Sequence, residues 1–284
     1  TGCPLGHPVF FDYFCNMTDR PDCERTHKMD VAIATWQPEG IRRVEAMNLP
    51  RVPGVRYVVS WQLPGPDPVI PESLAGRDDV SVSIIEKAGV SVNRNNACAH
   101  CTADIILNSD DDLIYTAEQL QSVIDTFDHN PDVDLSSFRF NGAPDKYPAI
   151  ECDLLDRLPK GYHVTTFEMA CRRHVLEKIC FDLNFGPGAP LFQCGEDSKF
   201  LYDAIRAGFH CRFFPITICT HDHPTTGDKP MPKGVALAEG KLIRLQYPAS
   251  WILRVPLKAW RNKKKGGTFF PTLYHLFRGA LIKI

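Results

Sequence analysis

The sequence has no run of about 18 apolar residues, the length a helix needs to cross a bilayer, so no segment reads as a transmembrane span. Its opening, "TGCPLGHPVFFDYF", has no basic stretch ahead of the apolar residues and is interrupted by Asp12, which makes it a poor signal peptide. No internal repeat and no long low-complexity segment occurs, so solenoids and arrays are excluded. Acidic residues are absent from Gly240 to Ile284, where ten Lys/Arg occur; the rest of the chain holds 22 Lys/Arg against 34 Asp/Glu. An acidic body therefore carries a basic tail.

The 284 residues, 44% of them hydrophobic, can bury one large core or a main domain with an appendage. The eleven cysteines are odd in number and scattered, which suits buried thiols in a reducing compartment and a cytoplasmic protein. Cys98 and Cys101 form a C-x-x-C, but no second ligand pair follows at zinc spacing, and two thiols on a helix are the favoured reading. Met29 stands directly before the first convincing strand, so residues 1–28 are expected to form an extension outside the fold. Cys3, His7, Cys15, Cys23 and His27 lie in it without a known ligand spacing.

Short apolar runs at 31–36, 55–61, 80–85 and 104–109 read as buried strands. Helical spacing at 39–49 and 116–127 places helices between and after them, the second with Thr116 as N-cap. Residues 90–103 are expected to turn into a helix with Asn93 or Asn95 near its cap. Further on, 134–140 reads as a strand, 162–179 as a strand and helix, 194–209 as a helix stopped by Gly208, and 211–219 as a strand. Strands alternating with helices predict an α/β fold with a mostly parallel sheet covered on both faces. Ligands bind such sheets at the carboxyl ends of the strands, near a switch in strand order.

At such an end the sequence reads "ILNSDDDLIY". Three adjacent carboxylates repel each other, and a D-x-D can supply oxygen ligands to Mg²⁺ or Mn²⁺, whose shell phosphate oxygens and water complete. The plain alternative is a solvated acidic turn. "GED" at 195–197 supplies a second acidic pair at a helix start. Acids favour that place electrostatically, and a carboxylate there can also remove a proton from an attacking hydroxyl. "THDHPTTG" offers His221 and His223 just after the last core strand, either as metal ligands or as ordinary loop residues.

Taken in order, "VAIATW", "VSVNRNNACAHCTADIILNSDDDLIYTAEQLQSVI" and "GEDSKFLYDAIRAGFHCRFFP" resemble family 2 glycosyltransferases of the GT-A fold, of the type found in bacterial glycan assembly, over roughly residues 29–223. The resemblance implies a GT-A domain over 29–225 and a basic, aromatic tail over 226–284. It also implies a nucleotide-sugar donor, a divalent metal (Mn²⁺ or Mg²⁺), and inversion by single displacement onto a hydroxyl of a glycan or lipid-linked acceptor. By analogy, Asp110 lies near the donor ribose or sugar, Asp112 binds the metal, and Asp111 sits between them. Arg94 lies near the nucleotide or its phosphates, and Thr35 lines the base pocket. Asp197 is the catalytic base, Glu196 positions acceptor or loop, and His221 and His223 are candidates for a further metal ligand. Where many relatives carry an acid after the second strand, this chain reads "SWQLPG", which leaves the nucleotide open, with UDP the family's commonest choice.

Two other classes fit the sequence less well. A sugar nucleotidyltransferase usually has a glycine-rich phosphate loop after the first strand, and "VAIATWQPEG" has none. A non-catalytic nucleotide-sugar-binding or membrane-associated scaffold would not need both acidic pairs. The tail interleaves Trp251, Trp260, Phe269, Phe270, Tyr274 and Phe277 with basic residues. It suits an anionic membrane surface first, packing on the domain second and nucleic acid least. A peripheral place at the inner face of the cell membrane follows from the first of these.

Overall fold

A computed structural model describes residues 27–142, 146–155, 158–221 and 230–284. Residues 1–26 of the extension expected over 1–28, with four of its five candidate ligands, and His223 lie outside the described residues.

The apolar runs form the strands β1 (Met29–Trp36), β2 (Val55–Gln62), β3 (Val80–Ile85), β4 (Ile105–Ser109), β5 (Leu135–Asn141), β6 (Cys152–Asp153), β7 (Met169–Arg172) and β8 (Cys211–Thr220). They build one sheet in the order β3-β2-β1-β4-β7-β5-β8-β6. β1 to β5 and β8 point the same way; β7 and β6 run against them. The chain moves outward from β1 to β3 and then returns to β4 on the other side of β1. In open sheets of this kind such a reversal marks the ligand side, here the carboxyl ends of β1 and β4. β8 passes through Pro215, which lacks an N–H, by slipping register against β5 between Ser137 and Arg139. It thereby reaches Thr220, at the same edge of the sheet.

Helices cover both faces. α1 (Gly40–Ala46) presents Ile41 and Val44, and α3 (Ala117–His129) presents Leu120, Val123, Ile124 and Phe127, to one core. α2 (Val90–Ala99) and α4 (Glu196–Arg206) pack on the other, with Ala97 and Cys98, and with Phe200, Leu201 and Ala204. α3 starts as its sequence predicts. Thr116 accepts from Gln119 N while the Gln119 side chain accepts from Thr116 N, a reciprocal cap.

α2 starts differently from the expectation. Gly89, at φ +119°, precedes it, and Asn93 and Asn95 are interior and buried. Asn93 Nδ2 donates to Thr35 O at 2.7 Å. Asn95 donates to Phe181 O at 2.8 Å and accepts from Phe181 N at 2.9 Å. These amides tie the helix to β1 and to a distant loop rather than capping it. The region 162–179 holds the expected strand and helix in shortened form: a 3₁₀ turn precedes β7, and a single helical turn, Arg173–Leu176, follows it.

After residue 230 come α5 (Lys233–Gln246), α6 (Trp251–Lys264) and α7 (Phe269–Leu281). Ala236, Ile243, Val255, Ala259 and Leu276 form their common core. α5 and α7 cross at two glycines. An added Cβ on Gly240 would stand 2.0 Å from Leu276 O, and one on Gly279 would stand 2.0 Å from Leu237 O. Backbone cannot yield as a side-chain tip can. Gly240→Ala and Gly279→Ala should therefore each destabilise by about 1–3 kcal/mol, the range for overpacking. Thermal melts of the two variants check this; unchanged melting temperatures would show that the helices do not cross so closely.

Candidate functional site

The carboxyl ends of β1, β4 and β8 share one edge of the sheet, and the three aspartates leave β4 there with three different partners. Asp110 Oδ1 accepts from Arg94 Nη2 at 2.8 Å. The other Arg94 nitrogen, Nη1, donates to Glu196 Oε1 at 2.7 Å. Arg94 belongs to α2 and Glu196 to the first turn of α4, and both are buried. Burial favours a neutral guanidinium, but the two carboxylate charges outweigh it and hold the Arg94 pKa above its usual value. One cation thus joins the end of β4 to the start of α4.

Asp111 Oδ2 accepts from Arg43 Nε at 2.9 Å, and the Thr35 hydroxyl donates to the same oxygen. Burial raises the Asp111 pKa, opposed by Arg43 and Thr35. Thr35, expected to line a base pocket, is itself buried beneath this contact. The open side chain at the end of β1 is Trp36, 53% exposed. Its carbonyl accepts from Arg43 Nη2 at 3.0 Å.

Asp112 is exposed, and its Oδ2 lies 3.3 Å from His221 Nε2. The backbone brings the pair together. Ile114 N donates to Thr220 O at 3.0 Å, Thr220 N to Ile114 O at 2.9 Å, and His221 N to Asn141 O at 3.0 Å. Gly142, at φ +95°, permits this approach, since an added Cβ would stand 2.2 Å from His221 O. The Phe140 and Phe167 rings flank the imidazole, with centroids at 6.0 and 5.4 Å.

Asp197 follows Glu196 and is half-buried. Burial, then the adjacent Glu196 charge, push its pKa from 3.8 to about 7. Its Oδ1 accepts from Ser198 N at 2.5 Å. The helix that carries both acids begins at Gly195, in the left-handed region at φ 83° and ψ 17°. An added Cβ there would stand 2.5 Å from Leu242 Cδ1 of α5.

The structure therefore brings Asp110, Arg94, Glu196 and Asp197 into one linked group, Asp111 and Thr35 into a second, and Asp112 and His221 into a third. Among the described residues no group of three His, Cys, Asp or Glu side chains is placed to hold a metal. An exposed carboxylate oxygen facing an imidazole nitrogen at this edge of the sheet still fits a hard divalent cation, because such ions take one or two protein ligands and complete their shell from phosphate and water.

Sequence reasoning missed Arg43 and Trp36. The only signal for Arg43 was a cation in the helix after β1, and its meaning depends on Asp111 at the end of another strand. Gln62, the last residue of β2, donates through Nε2 to the carbonyls of Lys87 and Gly89 at 2.5 and 3.0 Å. Cys98 and Cys101 are free and buried, and burial pushes both thiols up, Cys98 to about 12. Neither is a thiolate at neutral pH.

A raised Asp197 pKa has a consequence for stability. The folded state keeps a proton that the unfolded chain releases, so this contribution is full below pH 3.8 and is lost as pH rises to about 7. Melting temperature followed from pH 4 to 8 should fall less steeply in Asp197→Asn than in the parent. Parallel curves would show that Asp197 has an ordinary pKa.

Residues 70–180 match the model of Glycosyl transferase family 2. No curated protein sequence matches the chain. Among solved structures, S. aureus TarS 1–349 aligns at 16% identity and a TM-score of 0.55, covering 88% of this chain and 72% of that one. The same protein in complex with UDP-GlcNAc aligns at 15% and 0.55, covering 77% and 66%. The mannosyltransferase PcManGT from Pyrobaculum calidifontis, in complex with GDP-Man and Mn²⁺, aligns at 14% and 0.51, covering 96% and 76%. At these identities the likeness is one of fold. The chain is a protein of the GT-A glycosyltransferase fold, and its residues 70–180 carry the family 2 glycosyltransferase match.

Proposed function

We propose that the protein is an inverting glycosyltransferase that moves a sugar from a nucleoside-diphosphate donor to a hydroxyl of a glycan or lipid-linked saccharide. The observation that carries this reading is the Arg94 bridge. It fixes a donor-side acid, Asp110, against the acid pair that ends in Asp197, a carboxylate whose pKa of about 7 suits proton removal near neutral pH. Neighbouring structures were solved with UDP-GlcNAc, UDP and GDP-Man, which makes UDP and GDP the first nucleotides to test.

In this mechanism the donor lies across the carboxyl ends of β1 and β4. Trp36 offers an aromatic face to the base, and Arg43 is held beside it by Asp111. Arg94 is committed to two carboxylates, so it braces the site instead of gripping phosphate. The acceptor hydroxyl gives its proton to Asp197 as its oxygen attacks the anomeric carbon, and the bond to the diphosphate breaks on the opposite face. That opposition of base and leaving group inverts the anomeric centre, as in inverting glycosidases. Asp112 with His221 would hold a divalent cation, Mn²⁺ or Mg²⁺, which when bound neutralises charge on the departing diphosphate.

Two measurements test this. In a thermal-shift screen of nucleoside diphosphates, at least one should raise the melting temperature when Mn²⁺ is present. Chelation or Asp112→Ala should remove that rise; no response to any nucleotide would leave only a fold. With the responding donor, Asp197→Asn should lower kcat by about 10²–10⁴, the usual worth of a general base. Full turnover in that variant would refute the assignment.

A further inference from the structure

The helices that follow the sheet domain divide their aromatic and aliphatic residues between two sides. On α6, Val255, Ala259 and Asn262 face inward at helical spacing and are buried. Leu253, Leu257 and Trp260 repeat the same spacing on the opposite side and are exposed, Leu253 by 74%. On α7, Thr272, Leu276, Gly279 and Ala280 are buried, while Phe270, Tyr274 and Leu281 form an outward stripe, Phe270 exposed by 78%. Tyr274 and Leu281 also border an open groove of about 410 Å³, completed by Phe277, Arg278 and Ile282. Internal packing thus accounts for Trp251, Phe269 and Phe277, which lie against the helical core, and leaves the two outward stripes uncovered.

Charge surrounds the α6 stripe. At 100° per residue, Arg254 and Arg261 lie along one of its flanks and Lys263 along the other. Lys264 continues the stripe itself, its ammonium 3.8 Å from the centre of the Trp260 ring. The last acid in the sequence, Glu239, is paired with Lys258 at 2.9 Å, and no acid follows it.

We propose that α6 and α7 seat the protein on an anionic phospholipid surface, with Leu253, Leu257 and Trp260 in the headgroup boundary and the flanking Arg and Lys on lipid phosphates. An outward apolar face bordered by basic residues is the pattern of a helix lying in a membrane interface. No helix among the described residues is long and apolar enough to cross a bilayer, so the contact is with its surface. A second copy of the chain is a poorer occupant, because a two-fold contact would press the same uncompensated cations together. The seat is joined to the site: α7 crosses α5 at Gly240 and Gly279, and Leu242 of α5 meets Gly195, one residue before the acid pair. The membrane contact does not rest on the glycosyl-transfer reading.

The test is co-sedimentation of the full chain with vesicles of phosphatidylcholine alone and vesicles that also contain phosphatidylglycerol. Binding should require phosphatidylglycerol and weaken with added salt. Lys263→Gln with Lys264→Gln should lower the partition coefficient about fivefold per charge removed. Leu257→Ser with Trp260→Ser should lower it by about tenfold or more. Absent binding, or equal binding to both vesicle types, would overturn the proposal. So would a parent dimer that Leu257→Ser with Trp260→Ser converts to monomer, since a second copy would then cover the face. The nucleotide-induced thermal shift, measured on the same preparations, separates the two readings. Loss of vesicle binding with that shift intact refutes the membrane seat alone, whereas vesicle binding without any nucleotide response refutes the transferase alone.

Discussion

The contact on which the rest of the site depends is the Arg94 guanidinium, shared between Asp110 and Glu196. Three charges taken largely out of water are expensive to hold, and breaking such a group by removing one partner typically costs about 3–5 kcal/mol. The three residues come from a helix, a strand end and a second helix, the last of them 102 residues from Arg94. Their pairing fixes where β4 ends relative to where α4 begins. Asp197 takes its place from that junction; its raised pKa comes first from burial and then from the adjacent Glu196 charge, with Arg94 opposing both.

A second constraint works at the other side of the site. Asp111 is turned inward by Arg43 and Thr35, and the turn that follows β4 gives Asp110 and Asp112 partners of their own. Adjacent carboxylates that repel each other are tolerable when each has its own cation or donor. Asp110 has Arg94, Asp111 has Arg43, and Asp112, the most open of the three, faces His221. Gly142 is as necessary as any charged group here, because only a residue without a side chain lets His221 approach.

Much of this was legible in the sequence. The parallel strands announced themselves as short apolar runs, α3 by its spacing and Thr116, and the acids by their position at a strand end and a helix start. What was hidden depended on distant partners. β7 enters the sheet antiparallel between β4 and β5, and no local pattern encodes that choice. Asn93 and Asn95 have the residue type of caps, yet they serve as buried links whose acceptors lie 58 and 86 residues away. Arg43 gains meaning only from Asp111, and Gly240 and Gly279 only from each other's helix. In the tail, composition showed an aromatic and basic segment, but only packing separates the residues that fill its core from those left facing outward.

The claim that ties these features together is that Asp197 is the base and that its surroundings poise it near neutrality. The most direct measurement is the pH dependence of kcat/KM for the donor identified by its nucleotide response. This quantity reports the ionisation of the free enzyme's essential base. The account predicts activity rising through a single ionisation at about pH 7, to a plateau above it. A profile flat from pH 5 to 9 would contradict it, and with it the role assigned to the junction that Arg94 holds.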